Sequence, residues 1–201
     1  MKKSMQFRET IDNSEINDLP LLQFDGKIHL IETKRDQYAA AEILREEEVL
    51  GFDTESRPAF RKGVSYPVSL LQLSTEDDAY LFRLNNSPLE IPLLKVLEDD
   101  DILKVGVAIT DDISELRSHR DFEPGGFLAL ERFVKQAGIE SNGLRKIAAI
   151  TLNGRISKSA QVSNWEAKEL NKKQLLYAAT DAWVGLMIYK KLIANGYFDH
   201  S

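Results

Sequence analysis

The stretch that most restricts how this chain can fold lies near its C-terminal end, where residues 171–195 predict one long helix. Between Gln174 and Tyr189 the sequence reads QLLYAATDAWVGLMIY, and apolar residues occupy nearly every face of that helix. A helix that is apolar almost all round is buried on most of its sides. The rest of the chain must therefore surround this helix.

Asp181 is the only charged residue inside the apolar segment. An ionised carboxylate that is buried alone costs several kcal/mol unless it is paired or binds a metal ion. Tyr177 lies four residues earlier, so the two side chains are neighbours on one face of the helix. Two interpretations stay open at this point: Asp181 caps a neighbouring element, or it is a ligand in a functional site.

A second informative segment is a predicted buried strand, Val49–Phe52, which is followed at once by Asp53, Thr54 and Glu55. Side chains alternate along a strand, so Asp53 and Glu55 project to the same side. Two like charges held at the end of a buried strand repel each other, and a multivalent cation is the simplest partner that stabilises them. A bare Asp-x-Glu is more often an ordinary polar turn, so this interpretation depends on finding further ligands.

Apolar runs elsewhere predict four more strands, at residues 28–31, 68–73, 79–82 and 102–107. A short turn separates the second and third of these, so together with residues 49–54 they are expected to form an antiparallel meander. The strand at 102–107 lies between predicted helices and is expected to join the sheet in parallel. Residues 127–137 contain a short strand or a helix, and further helices are predicted at 36–47, 88–97 and 144–152.

Length and composition set limits on organisation and function. At 201 residues the chain suits one domain, and we expect residues 1–25 to form a partly ordered arm and residues 26–201 a single domain. No apolar run predicts a membrane span and no secretory signal is recognised, so we expect a cytoplasmic protein without membrane contacts. The absence of cysteine excludes disulfides, thiolate metal sites and cysteine nucleophiles. A net charge of −6 argues against a general basic surface for nucleic acid, but allows a small site in which bound metal supplies positive charge.

A further acidic position, Asp112, follows the strand at 102–107 at a predicted helix start, with Thr110 or Asp111 as the N-cap. In an α/β sheet, sites form where strands end and a helix packs across them. Carboxylates converging there need cations, and an all-oxygen set favours Mg²⁺ or Mn²⁺, which act in pairs in phosphodiester cleavage. The candidate ligands are Asp53, Glu55, Asp112 and Asp181.

Three segments together resemble the exonuclease motifs of the DEDD superfamily: residues 53–55 (DTE), 106–112 (GVAITDD) and 177–182 (YAATDA). The Tyr-x-x-x-Asp spacing resembles the DEDDy subgroup, and within it the chain is most similar to the exonuclease domains of ribonuclease D and the Werner syndrome protein. The resemblance covers residues 28–192 and rests on the order and spacing of the motifs. Shorter supporting matches are residues 69–73, 143–148, 156–159 and 163–165.

The resemblance implies an RNase H-like fold, with a mixed five-stranded sheet flanked by helices, and a 3′–5′ exonuclease. It implies that the four candidate ligands hold two Mg²⁺ or Mn²⁺ ions and that nucleoside monophosphates are released from the 3′ end of DNA or RNA. Tyr177 would orient the attacking water, since a phenol positions water better than it deprotonates it at neutral pH. Glu55 would also contact the terminal 3′ hydroxyl, while Asp111 would be an N-cap or a group behind the ligand Asp112.

Substrate contacts are expected around this centre. The loop at residues 56–66 carries basic side chains and is either a solvated loop or a rim that contacts phosphates. Trp165 either packs under the final helix or stacks on a base. The candidate contacts are Thr54, Arg57, Lys62, Lys158, Asn164 and Trp165.

Two alternatives to this function remain open. A nuclease fold without activity would serve as a nucleic-acid-binding module, although loss of an acidic ligand would have favoured it and all four are present. A nuclease of the same superfamily could act on short oligonucleotides rather than long strands. We also expect no additional nucleic-acid-binding domain of the kind that ribonuclease D carries, and no feature of the sequence reads the 2′ hydroxyl that distinguishes RNA from DNA.

Overall fold

The computed structural model describes residues 6–61 and 63–197, which contain a six-stranded mixed sheet. The strands are β1 (Lys27–Ile31), β2 (Val49–Ser56), β3 (Val68–Ser74), β4 (Asp78–Arg83), β5 (Leu103–Gly106) and β6 (Phe127–Ala129). The helices are α1 (Asn13–Asp18), α2 (Lys34–Leu44), α3 (Ile91–Glu98), α4 (Ile109–Arg117), α5 (Glu131–Gln136), α6 (Leu144–Leu152) and α7 (Lys172–Ala194). No helix in the two described segments is long and apolar enough to cross a membrane.

The strands lie in the order β1-β4-β3-β2-β5-β6. The predicted antiparallel meander of β2, β3 and β4 is confirmed, and so is the parallel pairing of β5 with β2. The sheet has six strands where five were predicted, because residues 127–129 pair in parallel with β5. Three residues are too few to show the alternation by which a strand is recognised in a sequence.

Helices cover both faces of this sheet. On one face α2 and α3 pack together over a core that includes Phe52, Leu71 and Leu93. On the other face α7 lies across five strands, β1 to β5, and α6 packs beside it. The predicted burial of the long apolar helix is confirmed, with Ala179 and Leu186 almost fully removed from solvent.

Gly51 lets the backbone of α7 lie directly on β2. A Cβ atom at this position would lie 2.1 Å from the carbonyl oxygen of Ala182 and 2.5 Å from the Ser74 hydroxyl, distances that no side chain can occupy. Gly185 is a milder example, since its Cβ would lie 3.3 Å from the carbonyl oxygen of Val105. The absence of side chains at these two points therefore sets the separation between the helix and the sheet.

The segment that precedes β1 packs on α6 and α7. The apolar side chains that it buries are Phe7, Ile11 and Ile16. The Leu22 amide donates to the carbonyl of Arg155 at 2.7 Å, and the Glu140 amide donates to the carbonyl of Glu9 at 2.9 Å. Residues 6–25 thus contact the chain on both sides of α6.

The predicted N-cap of α4, Thr110 or Asp111, is wrong, because the helix begins earlier and its N-cap is Ala108. Ala108 has a φ of 62°, in the left-handed region, and its amide donates to the side chain of Glu131. Neither feature follows from the apolar pattern. Asp112 still lies in the first turn of the helix, where the helix dipole stabilises negative charge.

Candidate active site

The end of β2 and the middle of α7 bring three carboxylates together. Side chains alternate along β2, so Gly51, Asp53 and Glu55 all face the sheet surface that α7 covers. Ligand oxygens of Asp53, Glu55 and Asp181 lie within 4.8 Å of one another. The structure therefore unites three of the four predicted ligands in one group, here called the acidic cluster.

The members of the acidic cluster oppose one another's ionisation. Burial, followed by the charges of Asp181 and Asp112, raises the pKa of Asp53 well above its usual range. Burial and the charge of Asp53 raise the pKa of Glu55 to about 10. Burial raises the pKa of Asp181 to about 7, although the hydroxyl of Tyr177 acts in the opposite direction. Without a nearby positive charge, the cluster therefore retains protons at neutral pH.

One oxygen of the acidic cluster indicates the kind of ligand that the residues fit. Asp181 is only 6% exposed, and its Oδ1 is buried without a hydrogen-bond partner in the described part of the chain. A buried carboxylate oxygen with no donor is costly, and a divalent cation would satisfy it. Because the donor set contains oxygen only, the residues fit a hard ion such as Mg²⁺ or Mn²⁺.

Asp112, the fourth predicted ligand, reaches the site from α4. Its Oδ1 accepts a 2.5 Å hydrogen bond from the hydroxyl of Thr54. Thr54 lies between Asp53 and Glu55 in β2, and its side chain points to the opposite side of the strand from theirs. Asp112 lies outside the group of three, yet its charge still raises the pKa of Asp53. The hydroxyl of Thr54, a predicted substrate contact, therefore binds a carboxylate of the site.

Tyr177 lies one helical turn before Asp181 in α7. Burial, followed by the charge of Asp181, raises the pKa of Tyr177 above its usual value. The phenol therefore stays protonated at neutral pH, when it can donate one hydrogen bond and accept another. Such a group orients a water molecule but does not remove its proton.

Trp165 lies under the acidic cluster and is 0% exposed. Its ring packs at a tilt on that of Tyr177, with 6.1 Å between the centroids, and it contacts the face of α7 that carries Ala179. The indole nitrogen is buried and has no hydrogen-bond partner among the described residues. The ring offers no free face to a base, and it packs under the final helix, which is the first of the two alternatives given for Trp165.

Two clefts open onto Tyr177 and Asp181. The larger of these two, which is called the larger cleft below, has a volume of about 410 Å³. Its basic lining consists of Arg145, Lys146 and Lys158. The smaller cleft has a volume of about 190 Å³. Besides the two site residues, its lining consists of Leu21, Leu22, Gln23, Ser157, Ser159, Lys173, Leu176 and Thr180. Lys158, a predicted substrate contact, is exposed and lies in the larger cleft.

A third cleft, of about 470 Å³, follows the loop that leaves Glu55 and is here called the loop cleft. Its lining includes Arg57, Phe60, Arg61, Tyr66, Val162 and Asn164. Arg57 lies over the Tyr66 ring, 4.8 Å from its centroid, and pairs with Glu166 at 3.2 Å. Two predicted contacts, Arg57 and Asn164, thus share one cleft, while Lys62 lies outside the described residues.

Arg83 and Arg145 shape the site although sequence reasoning missed both. Arg83 is fully buried, and its guanidinium donates to the carbonyl of Lys168 at 2.9 Å and to that of Ala167. It thereby holds the loop that carries Trp165. Arg83 could have been found, because it is a charged residue at the end of an otherwise apolar strand. Arg145 lies in residues 143–148, which supported the family resemblance without indicating a role for the arginine.

Comparisons with known proteins agree along most of the chain. A family model described as 3′–5′ exonuclease matches residues 28–195. The chain is 34% identical over 192 residues to the bifunctional 3′–5′ exonuclease/ATP-dependent helicase WRN of Mus musculus, covering 88% of this chain and 13% of that protein. It is 41% identical over 149 residues to the exonuclease 3′–5′ domain-containing protein 2 of Drosophila melanogaster, covering 72% of this chain and 25% of that protein. The chain thus spans a quarter or less of the length of these relatives.

Solved structures confirm the predicted RNase H-like fold. The Nibbler EXO domain of Aedes aegypti superimposes with a TM-score of 0.73 at 28% identity, over 94% of this chain and 92% of that one. RNase D of Escherichia coli gives a TM-score of 0.75 at 23% identity, over 84% of this chain and 44% of that one. The mixed sheet and its flanking helices are therefore those of known exonuclease folds.

Proposed function

Because the chain belongs to the 3′–5′ exonuclease family, whose members are hydrolases, we propose that it shortens DNA or RNA from the 3′ end in a reaction that requires Mg²⁺ or Mn²⁺. Each cycle would release a nucleoside monophosphate and leave a strand shorter by one nucleotide. The observation that supports this proposal best is the acidic cluster of Asp53, Glu55 and Asp181 at the end of β2, with its unpartnered buried oxygen.

The four carboxylates would hold two divalent ions. The acidic cluster supplies three of these ligands, and Asp112 supplies the fourth from the first turn of α4. When bound, such ions stabilise negative charge on the attacking and leaving oxygens of a phosphodiester. Their positive charge would also offset the burial and the mutual repulsion that together keep Asp53 and Glu55 protonated.

The remaining side chains of the site orient the reactants. Tyr177 would hold the water whose oxygen attacks the terminal phosphorus, while the bond from that phosphorus to the 3′ oxygen of the preceding nucleotide breaks. Glu55 would contact the 3′ hydroxyl of the departing nucleotide, and Trp165 packs against Tyr177. The neutral phenol matches a positioning role, since its raised pKa prevents it from acting as a base.

The clefts around the acidic cluster support a polyanionic substrate. The protein carries a net charge of −6, yet basic side chains line the larger cleft and the loop cleft. This local concentration of arginine and lysine beside an acidic centre is the charge pattern that a nucleic-acid strand requires when metal ions occupy that centre.

The test is a 3′-shortening assay on 5′-labelled DNA and RNA oligomers, with Mg²⁺, with Mn²⁺ and with EDTA. We expect a ladder of products with metal and none with EDTA, and no ladder from Asp53→Ala or Asp181→Ala. Asp101→Ala is a matched control, because Asp101 is exposed and lies just before β5, at the end away from the site. It should cleave like the natural protein.

The same assay distinguishes the alternatives. Oligomers that bind but stay intact with either metal would identify a silent binding module and overturn the exonuclease proposal. Cleavage confined to short oligomers would favour the oligonucleotide nuclease. The relative rates on DNA and RNA assign the polymer.

A further inference from the structure

Arg145, in the first turn of α6, is held by two asparagines of α1. Its Nη1 donates to Oδ1 of Asn13 at 3.2 Å, and its Nη2 donates to Oδ1 of Asn17 at 2.7 Å. Both partners are neutral amides, so they fix the guanidinium without neutralising it. Arg8, in the same region, shows the usual alternative, because it forms a two-point ion pair with the carboxylate of Glu15.

The guanidinium of Arg145 faces a functional space. Arg145 and Asn13 both line the larger cleft, into which Tyr177 and Asp181 also open. An arginine keeps its charge at any relevant pH, and its planar donors match the oxygens of a phosphate. Within the described segments Arg145 bonds to amides and pairs with no carboxylate, and such an arginine in a cleft beside an acidic cluster indicates an anionic ligand.

The arm that carries the two asparagines, residues 6–25, is firmly attached. Ile16 of α1 is fully buried, and Phe7 and Ile11 are buried in the core cluster that includes residues of α6 and α7. The arm also lines the smaller cleft, through Leu21, Leu22 and Gln23. Both clefts that lead to Tyr177 are thus partly built from residues that precede position 28, where the match to the exonuclease family begins.

We propose that the arm is part of the substrate site, in which Asn13 and Asn17 orient Arg145 to bind a backbone phosphate near the 3′ end of the nucleic acid. Arg145 touches the substrate in this proposal, and the two asparagines are positioning residues that act through it. The proposal rests on the proposed exonuclease function, since that function supplies the polyanion.

The test compares Arg145→Ala, Arg145→Lys, the pair Asn13→Ala/Asn17→Ala and the triple variant with Arg35→Ala. Arg35 is exposed on α2, which packs on α3 rather than on α6, so its removal controls for the loss of one positive charge. Affinity for a 5′-fluorescein 12-mer is measured by anisotropy in EDTA over a range of salt concentrations, and KM and kcat are measured with Mn²⁺. Circular dichroism and the melting temperature verify that each variant is folded.

We expect Arg145→Ala to raise Kd and KM about tenfold, to change kcat less than about twofold, and to lower the slope of log Kd against log salt by about one. The asparagine pair should raise Kd by about two- to fivefold, and the triple variant should equal Arg145→Ala, because the asparagines act only through the arginine. Arg145→Lys should fall between the natural protein and Arg145→Ala, because it keeps the charge but loses the fork.

An unchanged Kd and salt slope in folded Arg145→Ala, or an asparagine effect that adds fully to that of the arginine, would overturn the proposal. Either result leaves metal-dependent shortening intact. Failure of the exonuclease proposal would be recognised by a different result, because the natural protein itself would then leave the oligomers uncut.

Discussion

The hydroxyl of Thr54 donates a 2.5 Å hydrogen bond to Asp112, and this bond joins the end of β2 to the first turn of α4. Asp53 and Glu55, on either side of Thr54 in the strand, face α7 instead. One three-residue segment therefore contributes two members of the acidic cluster and also orients the fourth predicted ligand.

Replacing Thr54 by valine should weaken catalysis with little effect on the fold. Valine fills the same space but cannot donate, so Asp112 would lose the partner that fixes its rotamer. Groups that orient metal ligands are typically worth about 10- to 100-fold in activity or metal affinity. Steady-state assays over a Mn²⁺ titration should show that loss, and Thr54→Ser, which keeps the hydroxyl, should retain most of the activity. Equal activity of Thr54→Val and the natural protein would contradict this role.

Asp181→Asn should abolish cleavage but stabilise the metal-free protein. The amide removes one negative charge from the acidic cluster, whose members raise one another's pKa. A gain on the order of 1–3 kcal/mol in the free energy of unfolding is expected in EDTA, with loss of the stabilisation that Mn²⁺ gives the natural protein. Urea denaturation with and without Mn²⁺ measures both effects. A less stable variant in EDTA would show that the carboxylates do not repel one another.

The stability of the metal-free protein should fall as the pH rises from about 5 to about 8. The pKa of Asp181 is raised to about 7 and that of Glu55 to about 10, so the folded chain retains protons that the unfolded chain has already lost. The stabilisation is complete below the unfolded-state pKa and disappears as the pH passes the folded-state value. Melting temperatures in EDTA at several pH values test the trend.

Metal ions should reverse this dependence, because they bind the deprotonated carboxylates and so stabilise the fold more at higher pH. Asp181→Asn should show a smaller slope in EDTA than the natural protein, whereas Asp101→Asn should show the same slope. A metal-free protein that becomes more stable between pH 5 and 8, with Asp181→Asn unaffected, would refute the proposed coupling.

Gly51→Ala should damage both fold and activity, because a methyl group cannot fit 2.1 Å from the carbonyl oxygen of Ala182. Overpacking of this kind costs about 1–3 kcal/mol, and here the strain acts on the contact that places Asp181 beside Asp53. Gly185→Ala is the matched control in the same helix, where the nearest atom is 3.3 Å away, and it should cost less. Chemical denaturation and cleavage rates test the order. Equal losses for the two variants would argue against the contact at Gly51.

The loop cleft offers a contrast between stacking and charge. Phe60 is 84% exposed on the rim, next to Arg61. Phe60→Ala should weaken binding of single-stranded oligomers by about 1–3 kcal/mol with an unchanged salt dependence, as expected for loss of base stacking. Arg61→Ala should instead lower the salt slope by about one. Fluorescence anisotropy at several salt concentrations measures both, and identical salt slopes for the two variants would exclude a phosphate contact by Arg61.

The helices and strands that could be predicted from the sequence are those with long or strongly apolar residue patterns. Residues 171–195 form a helix, Lys172–Ala194, with Asn171 and Asn195 as its caps, and the β2–β3–β4 meander lies where alternation and a short turn placed it. The strand β6 lies in residues 127–137, where a short strand or a helix was predicted, but it was not counted in the sheet because three residues carry no period. The start of α4 was missed because Ala108 adopts a left-handed conformation.

The candidate site was predictable as a set of residue types, but its contacts were not. The spacing of Asp53 and Glu55 placed them on one face of a strand, yet nothing local indicated that Thr54 binds Asp112. The two asparagines that hold Arg145 are more than a hundred residues away from it in sequence. Such pairs depend on the tertiary arrangement, which residue propensities do not encode.

The contact between Gly51 and Ala182 is made by main-chain atoms, and this has a consequence for how the protein tolerates substitution. Core side chains elsewhere can be exchanged for others of similar volume, and the helices around them adjust by small shifts. At Gly51 no side chain separates the helix from the strand, so an exchange of side chains cannot change the distance between them. The spacing of Asp53 and Asp181 therefore depends on a main-chain contact, and we expect substitutions of core side chains elsewhere to change that spacing less than a substitution of Gly51 does.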